Sequence, residues 1–114
     1  MGTIKIMDHP RIITPSNEAD YNSEKMGKAT LFQSERMLVG LNGFEVGQEH
    51  KLHAHEGMDK MYHVLEGSGL FLLEGKELLM EAGTMLIAPS GVLHGIRNTG
   101  NTKLLVMVVL APSP

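Results

Sequence analysis

The chain has 114 residues, a formal net charge of −3 at pH 7 and no cysteine. This length predicts a single domain, and the charge provides no basic surface for binding nucleic acid. The absence of cysteine excludes disulfide bonds and thiolate metal sites.

No membrane or export signal is visible in the sequence. The longest apolar run, residues 104–111, is too short to span a bilayer. The first 15 residues lack the apolar core of a signal peptide. We therefore expect a cytoplasmic protein with neither a membrane nor a nucleic acid as its partner.

Residues 1–30 are polar and irregular, and we interpret them as an N-terminal arm that belongs to the same domain as the rest. Residues 31–114 are predicted to form a single barrel. Within that range, short apolar stretches alternate with glycine turns. Short strands at such close spacing predict an all-β barrel or sandwich. The predicted strands cover residues 36–46, 51–55, 61–65, 70–73, 77–80, 85–88, 92–97 and 103–110.

Three histidines are candidates for a metal site. His53 and His55 alternate along one predicted strand, so their side chains share a face about 7 Å apart. His94 lies far along the chain and would have to come from a neighbouring strand. Three neutral imidazoles suit zinc, copper, iron or nickel and leave open positions for water or substrate. The spacing alone is equally compatible with three ordinary polar histidines.

The histidines lie in two segments framed by glycines. The first segment has Gly47, then His53-Ala54-His55, and later Gly67. The second has Gly83, Pro89-Ser90-Gly91, His94 and Asn98, with intervals of five, two and three residues between these groups. This arrangement resembles the two conserved motifs of the cupin superfamily. The resemblance implies a double-stranded β-helix, which is a jelly-roll barrel of two antiparallel sheets.

The resemblance also implies a divalent metal held by His53, His55 and His94. The family's fourth ligand is a glutamate, and its position falls on Lys60 when counted back from Gly67. An ammonium group offers no lone pair and repels a divalent cation. Three interpretations stay open: Lys60 turns away and the histidines hold Fe, Mn, Ni, Zn or Cu; Asp59 replaces the glutamate; or the pocket holds no metal and binds an anion.

Other residues near the motifs rank lower. Tyr62 shares strand parity with Lys60, and these two residues are the candidates for a catalytic role. His50 is expected either to contact the site or to be exposed, and His63 is expected to face outward. Asn98 is expected to stabilise a turn.

Three functions follow from the resemblance. One is a metalloenzyme, of dioxygenase, decarboxylase or isomerase type, that acts on a small polar organic acid or sugar. A second is a non-catalytic, metal-free module that binds a small anion or sugar through Lys60 and the pocket histidines. A third is an accessory protein with a vestigial pocket. We also predict a homodimer that pairs through the apolar last strand and the N-terminal arm.

Overall fold

The structure, a computed structural model, describes residues 9–114. In this part of the chain a single turn of 3-10 helix, Pro15–Glu18, precedes nine β-strands. The strands are β1 (Gly27–Gln33), β2 (Leu38–Phe44), β3 (Glu49–His53), β4 (Asp59–Glu66), β5 (Ser68–Leu73), β6 (Lys76–Glu81), β7 (Met85–Ala88), β8 (His94–Arg97) and β9 (Leu104–Ala111).

The strands form two antiparallel sheets. One sheet has the strand order β1-β2-β9-β4-β7 and the other has the order β3-β8-β5-β6. The chain crosses repeatedly from one sheet to the other, which is the topology of a jelly roll. The all-β, double-stranded β-helix predicted from the sequence is confirmed.

The last strand does not lie at an edge, which corrects one expectation. β9 is hydrogen-bonded to β2 on one side and to β4 on the other. Its backbone donors and acceptors are therefore used within the sheet and cannot pair with a second chain. β1 also begins at Gly27, within the segment interpreted as the arm.

The register of β4 determines which side chains face the barrel interior. Lys60 and Tyr62 pair with Leu110 and Val108 of β9. Alternate residues of a strand share a face, so all four lie on the inner face. The intervening residues, such as Met61, lie on the outer face.

Ten buried apolar or aromatic side chains from both sheets form the main core of the described chain. Full burial of a large apolar side chain contributes about 2 kcal/mol to stability. The members are Phe44, Tyr62, Val64, Phe71, Met80, Ile96, Leu104, Val106, Val108 and Leu110. Among residues 9–114, the buried polar or charged side chains are Asn42, Lys60, His94 and Asn98.

The N-terminal arm packs on the outer face of the five-stranded sheet. Ile13, Ala19 and Tyr21 contact a second apolar cluster built around Leu31, Leu41 and Leu105. The arm crosses the β1–β2 pair where Gly27 faces Gly43. A side chain at either glycine would collide with the backbone of Asp20. No helix in the described residues is long and apolar enough to cross a membrane.

Candidate metal centre

Three histidines converge at one end of the barrel interior. The ligand atoms offered by His53, His55 and His94 all lie within 4.8 Å of one another. His53 on β3 and His94 on β8 are cross-strand partners, and their ring centroids are 4.3 Å apart. His55 lies edge-on to His53 at 5.0 Å. The structure thus brings together the three ligands predicted from the sequence.

His55 reaches this cluster by a different route from the predicted one. β3 ends at His53, so strand alternation does not position His55. Its carbonyl oxygen instead accepts a hydrogen bond of 3.0 Å from the Gly91 N–H. Gly91 has φ +78°, a conformation that favours glycine. The loop that contains Gly91 is therefore hydrogen-bonded to the loop that contains His55 and fixes its position.

Asp59 helps to tie these loops together and does not join the histidines. Its Oδ1 accepts a hydrogen bond of 3.0 Å from the Ser90 N–H, and the residue is exposed. Ser90 Oγ in turn accepts a bond of 2.8 Å from the Gly57 N–H. Because Asp59 precedes Lys60 on β4, alternation turns its side chain away from the inner face.

A fourth histidine lies against the cluster. The pairing of β3 with β8 shifts register between His50 and His53, and this bulge lets residues three apart both face inward. The His50 ring stacks on His53 with centroids 4.1 Å apart and an interplanar angle of 24°. The bulge requires Gly95, because a Cβ there would lie 2.5 Å from the His50 carbonyl oxygen. Strand alternation alone does not predict this contact, because it places residues three apart on opposite faces.

Two of the cluster histidines have their tautomers set by backbone hydrogen bonds. Nδ1 of His53 lies 2.8 Å from the Lys51 carbonyl oxygen, and Nδ1 of His94 lies 2.8 Å from that of Val92. A carbonyl only accepts, so each Nδ1 carries the proton and each Nε2 keeps the lone pair that can accept a hydrogen bond or bind a metal. His94 Nε2 is buried and has no hydrogen-bond partner. This is the arrangement expected of metal-binding imidazoles.

The histidines are also held in their neutral form. Burial lowers the pKa of His94 to about 4 and that of His50 to about 3. Burial also lowers the pKa values of His53 and His55, and the charge of Lys60 adds to the effect. Neutral imidazoles are the form that binds metal, so the three-histidine set fits a divalent transition metal.

Lys60 points into the cluster. The residue is only 5% exposed, and its Nζ lies 3.4 Å from His53 Nε2. Nζ also lies 4.7 Å from the ring centroid of Tyr62. Burial, reinforced by the charge of Lys28, lowers the Lys60 pKa to about 8. No carboxylate of residues 9–114 forms an ion pair with it. A lysine in this position does not fit as a metal ligand.

Tyr62 lies in the main core and does not line the cavity at the histidines. It is fully buried, and its ring centroid is 5.6 Å from that of His94. Its hydroxyl has no hydrogen-bond partner, and burial raises the pKa of the phenol. In the described structure, its visible role is to pack beside His94.

A cavity of about 280 Å³ opens beside the cluster. Aliphatic side chains form one part of its wall, and three histidines, one amide and one hydroxyl form much of the rest. The charged side chains in the wall are those of two lysines, and none of the described lining residues has an acidic side chain. The lining residues are Lys28, Ala29, Thr30, Leu38, Gly40, Leu41, Asn42, His50, His53, His55, Lys60, Val108, Leu110 and Pro114.

Other motif residues hold the turns around the site. Gly47, Gly67, Gly83 and Gly91 all have positive φ values. The Asn98 side chain donates to the carbonyl oxygens of Phe44 and Thr102, at 3.1 and 3.0 Å, and accepts from the Gly100 N–H. The expected turn-stabilising role of Asn98 is confirmed.

The match to a family model agrees with these motifs. Residues 41–110 match the cupin domain model, which covers more than half of the chain. The chain belongs to the cupin domain family. This cupin is 38% identical over 95 residues to the oxalate-binding protein of Thermotoga maritima, a match that covers 83% of the chain and 69% of that relative.

Solved structures support the same assignment. The TT1209 protein of Thermus thermophilus is 44% identical with a TM-score of 0.85, and the match covers 90% of this cupin and 98% of that chain. A Thermotoga maritima protein described as a predicted oxalate decarboxylase is 32% identical with a TM-score of 0.72. That match covers 76% of this cupin and 80% of the other chain.

Proposed function

We propose that this cupin binds a divalent transition metal through His53, His55 and His94 and acts there on a small polar organic acid or sugar. The metal would be Fe, Mn, Ni, Zn or Cu, and the reaction would be of the dioxygenase, decarboxylase or isomerase type. The observation that carries the proposal is the convergence of the three neutral imidazoles. Backbone carbonyls orient two of them so that Nε2 is the nitrogen that carries the lone pair a metal would bind.

The chain's own residues have separable roles in this proposal. A bound divalent metal supplies a Lewis acid that polarises a substrate oxygen. The carbonyl oxygens of Lys51 and Val92 keep the imidazoles of His53 and His94 in one orientation. The aliphatic wall limits water around the ligand. The ammonium group of Lys60 donates hydrogen bonds to an acidic ligand.

The names of two relatives support an organic acid as the ligand. One is an oxalate-binding protein and the other is described as a predicted oxalate decarboxylase. The lysine-lined cavity is electrostatically suited to such an anion. Because a single fold supports many reactions, the reaction itself rests on the family resemblance.

Metal content tests the proposal. Protein without a histidine tag is stripped with chelator, incubated separately with each of the five metals, both with and without oxalate, then desalted and measured by inductively coupled plasma mass spectrometry. We expect about one metal per chain, and we expect His53→Ala and His94→Ala to lose it. His63→Ala, on the outer face of β4, is the matched control and should retain it. Absence of bound metal in every incubation would refute the proposal.

The second candidate function is a metal-free module that binds a small anion or sugar. One contact favours it: Lys60 Nζ lies against His53 Nε2, the nitrogen that a metal would need. Under this alternative, oxalate raises the melting temperature of chelator-treated protein. Lys60→Met removes the shift, whereas Lys76→Met, exposed on the edge strand β6, keeps it.

We also propose that the protein is a homodimer, through the outer face of the five-stranded sheet. On β7, Met85 and Ile87 are 55% and 57% exposed. They pair with His63 and Met61 of β4 and so lie on that outer face. Sedimentation at micromolar concentration should give twice the chain mass, and a monomer mass would contradict this proposal. The predicted cytoplasmic location stays a prediction.

A further inference from the structure

We infer that the metal and a small dicarboxylate bind this site as a mutually dependent pair, and that Lys60 couples them. The inference rests on the proposed function and deepens it, because it names the ligand class and the residue that recognises it. It departs from the family pattern, in which a glutamate at this position neutralises the metal directly.

Lys60 and a bound metal would both use the lone pair of His53 Nε2. His53 Nδ1 is engaged with the Lys51 carbonyl, so Nε2 is the nitrogen left to accept a proton or bind a metal. Lys60 Nζ lies 3.4 Å from that nitrogen. A metal ion and the ammonium group therefore compete for the same atom. A metal that binds here must take this contact from Lys60.

The positive charges beside the histidines disfavour a metal that binds without an anion. The cluster histidines are neutral, and among the described residues the side chains that line the cavity include those of Lys28 and Lys60 but none that is acidic. A divalent metal bound alone would place its charge beside a buried ammonium group that no side-chain carboxylate of residues 9–114 pairs with. Lysine in place of glutamate changes the charge of this position by two units. The bare metal is therefore disfavoured until an anion enters with it.

The chemical groups around the site favour a dicarboxylate as that anion. A dicarboxylate carries two negative charges, enough to offset the metal, and offers oxygen atoms both to a metal and to the Lys60 ammonium. A sugar would need several hydrogen-bonding side chains for its hydroxyls. Besides the histidines and lysines, the cavity offers the side chains of Thr30 and Asn42. Its volume of about 280 Å³ accommodates a small dicarboxylate. The smallest dicarboxylate, oxalate, is the natural probe.

Coupling of this kind is reciprocal. If oxalate raises the affinity for metal by some factor, metal raises the affinity for oxalate by the same factor. Chelator-stripped protein is titrated with Mn²⁺ at several oxalate concentrations, and free Mn²⁺ is followed by electron paramagnetic resonance. The Mn²⁺–oxalate complex, measured without protein, is subtracted. We expect metal affinity to rise at least about tenfold with oxalate. Acetate and glucose should produce a much smaller change.

Variants at two positions locate the coupling. Lys60→Met should bind Mn²⁺ alone at least as tightly as the wild type and should lose the enhancement by oxalate. Lys76→Met, exposed on β6 at the opposite edge of that sheet, should keep it. Equal metal affinity in wild-type protein with and without oxalate would overturn the inference, as would unchanged coupling in Lys60→Met.

The two proposals fail in distinguishable ways. Mn²⁺ that binds through the histidines independently of oxalate leaves the proposed metal site intact and refutes the coupling. Absence of Mn²⁺ binding under every condition refutes both. The wild-type titration decides the matter even if Lys60→Met does not fold, which circular dichroism would reveal.

Discussion

Lys60 Nζ lies 3.4 Å from Nε2 of His53, one of the three imidazoles that converge at the end of the barrel. The ammonium group thus lies beside the cluster, at the position where the resemblance to cupins implies a glutamate, and burial lowers the pKa of this group to about 8. The ammonium group of Lys60 therefore gives the site a positive charge where a carboxylate would give it a negative one.

Lys60→Glu should strengthen the binding of metal in the absence of any anion. A carboxylate adds a ligand and removes the repulsion between the ammonium group and the cation. We expect the affinity for Mn²⁺ to rise at least about tenfold, equivalent to about 1.4 kcal/mol. Isothermal titration calorimetry measures this affinity, with Lys76→Glu, exposed on β6, as a surface control for the added negative charge. A weaker affinity than that of the wild type would show that Lys60 does not oppose the metal.

Gly95→Ala should damage the site through the backbone. A Cβ at this position would lie 2.5 Å from the His50 carbonyl oxygen and 3.0 Å from the Lys51 carbonyl carbon. Neither atom can move without opening the β3–β8 pairing, so we expect a loss of about 2 kcal/mol in unfolding free energy and weaker metal binding. Gly75→Ala is the comparison, because its hairpin position has positive φ but open space.

Urea denaturation measures both variants. Gly75→Ala should cost about 1 kcal/mol from backbone conformation alone and leave metal affinity unchanged. If Gly95→Ala lost less unfolding free energy than Gly75→Ala, the close approach of β3 to β8 would not require a glycine at position 95.

Tyr62→Phe should leave ligand binding intact. The tyrosine hydroxyl is buried without a hydrogen-bond partner, and removing such a group relieves a desolvation cost. We expect the free energy of unfolding to stay constant or rise by about 1 kcal/mol, with affinities for metal and oxalate within about twofold of the wild type. A large loss of oxalate affinity would instead support Tyr62 as a catalytic or binding residue.

The metal-free protein should lose stability in mild acid, in part through His50. Its pKa falls to about 3 in the folded state, mainly because of burial, against about 6.5 in the unfolded chain. Its contribution is therefore complete above pH 6.5 and is lost progressively as the pH falls toward 3. Urea denaturation between about pH 7 and pH 5 should show a decrease of about 1–2 kcal/mol from this residue. His50→Gln should flatten the profile, and an unchanged profile would contradict the prediction.

Much of the fold could be predicted from the sequence because strands and turns depend on local residue patterns. Alternating apolar residues and glycine turns predicted the strands, and the turn glycines indeed have positive φ values. The order of strands within the sheets is non-local and came only from the motif resemblance. The central position of β9 shows the limit of this reasoning. Its apolar sequence is equally typical of an edge strand at a dimer interface and of a strand buried between two others.

The site was predicted in its composition and less well in its geometry. The three histidines were found because two motifs identify them. The stacking of His50 on His53 was not, since it depends on a bulge that alternation does not reveal. The position of Lys60 was known, but whether a long side chain turns inward is decided by tertiary packing.

The most direct test is a crystal structure of the protein with Zn²⁺ and oxalate, with data collected at the zinc absorption edge. We expect an anomalous peak about 2.0–2.1 Å from nitrogen atoms of His53, His55 and His94. We also expect Lys60 Nζ to leave His53 Nε2 and to contact an oxalate oxygen. A structure with no anomalous peak at the cluster, and with Lys60 still hydrogen-bonded to His53, would contradict the proposed site.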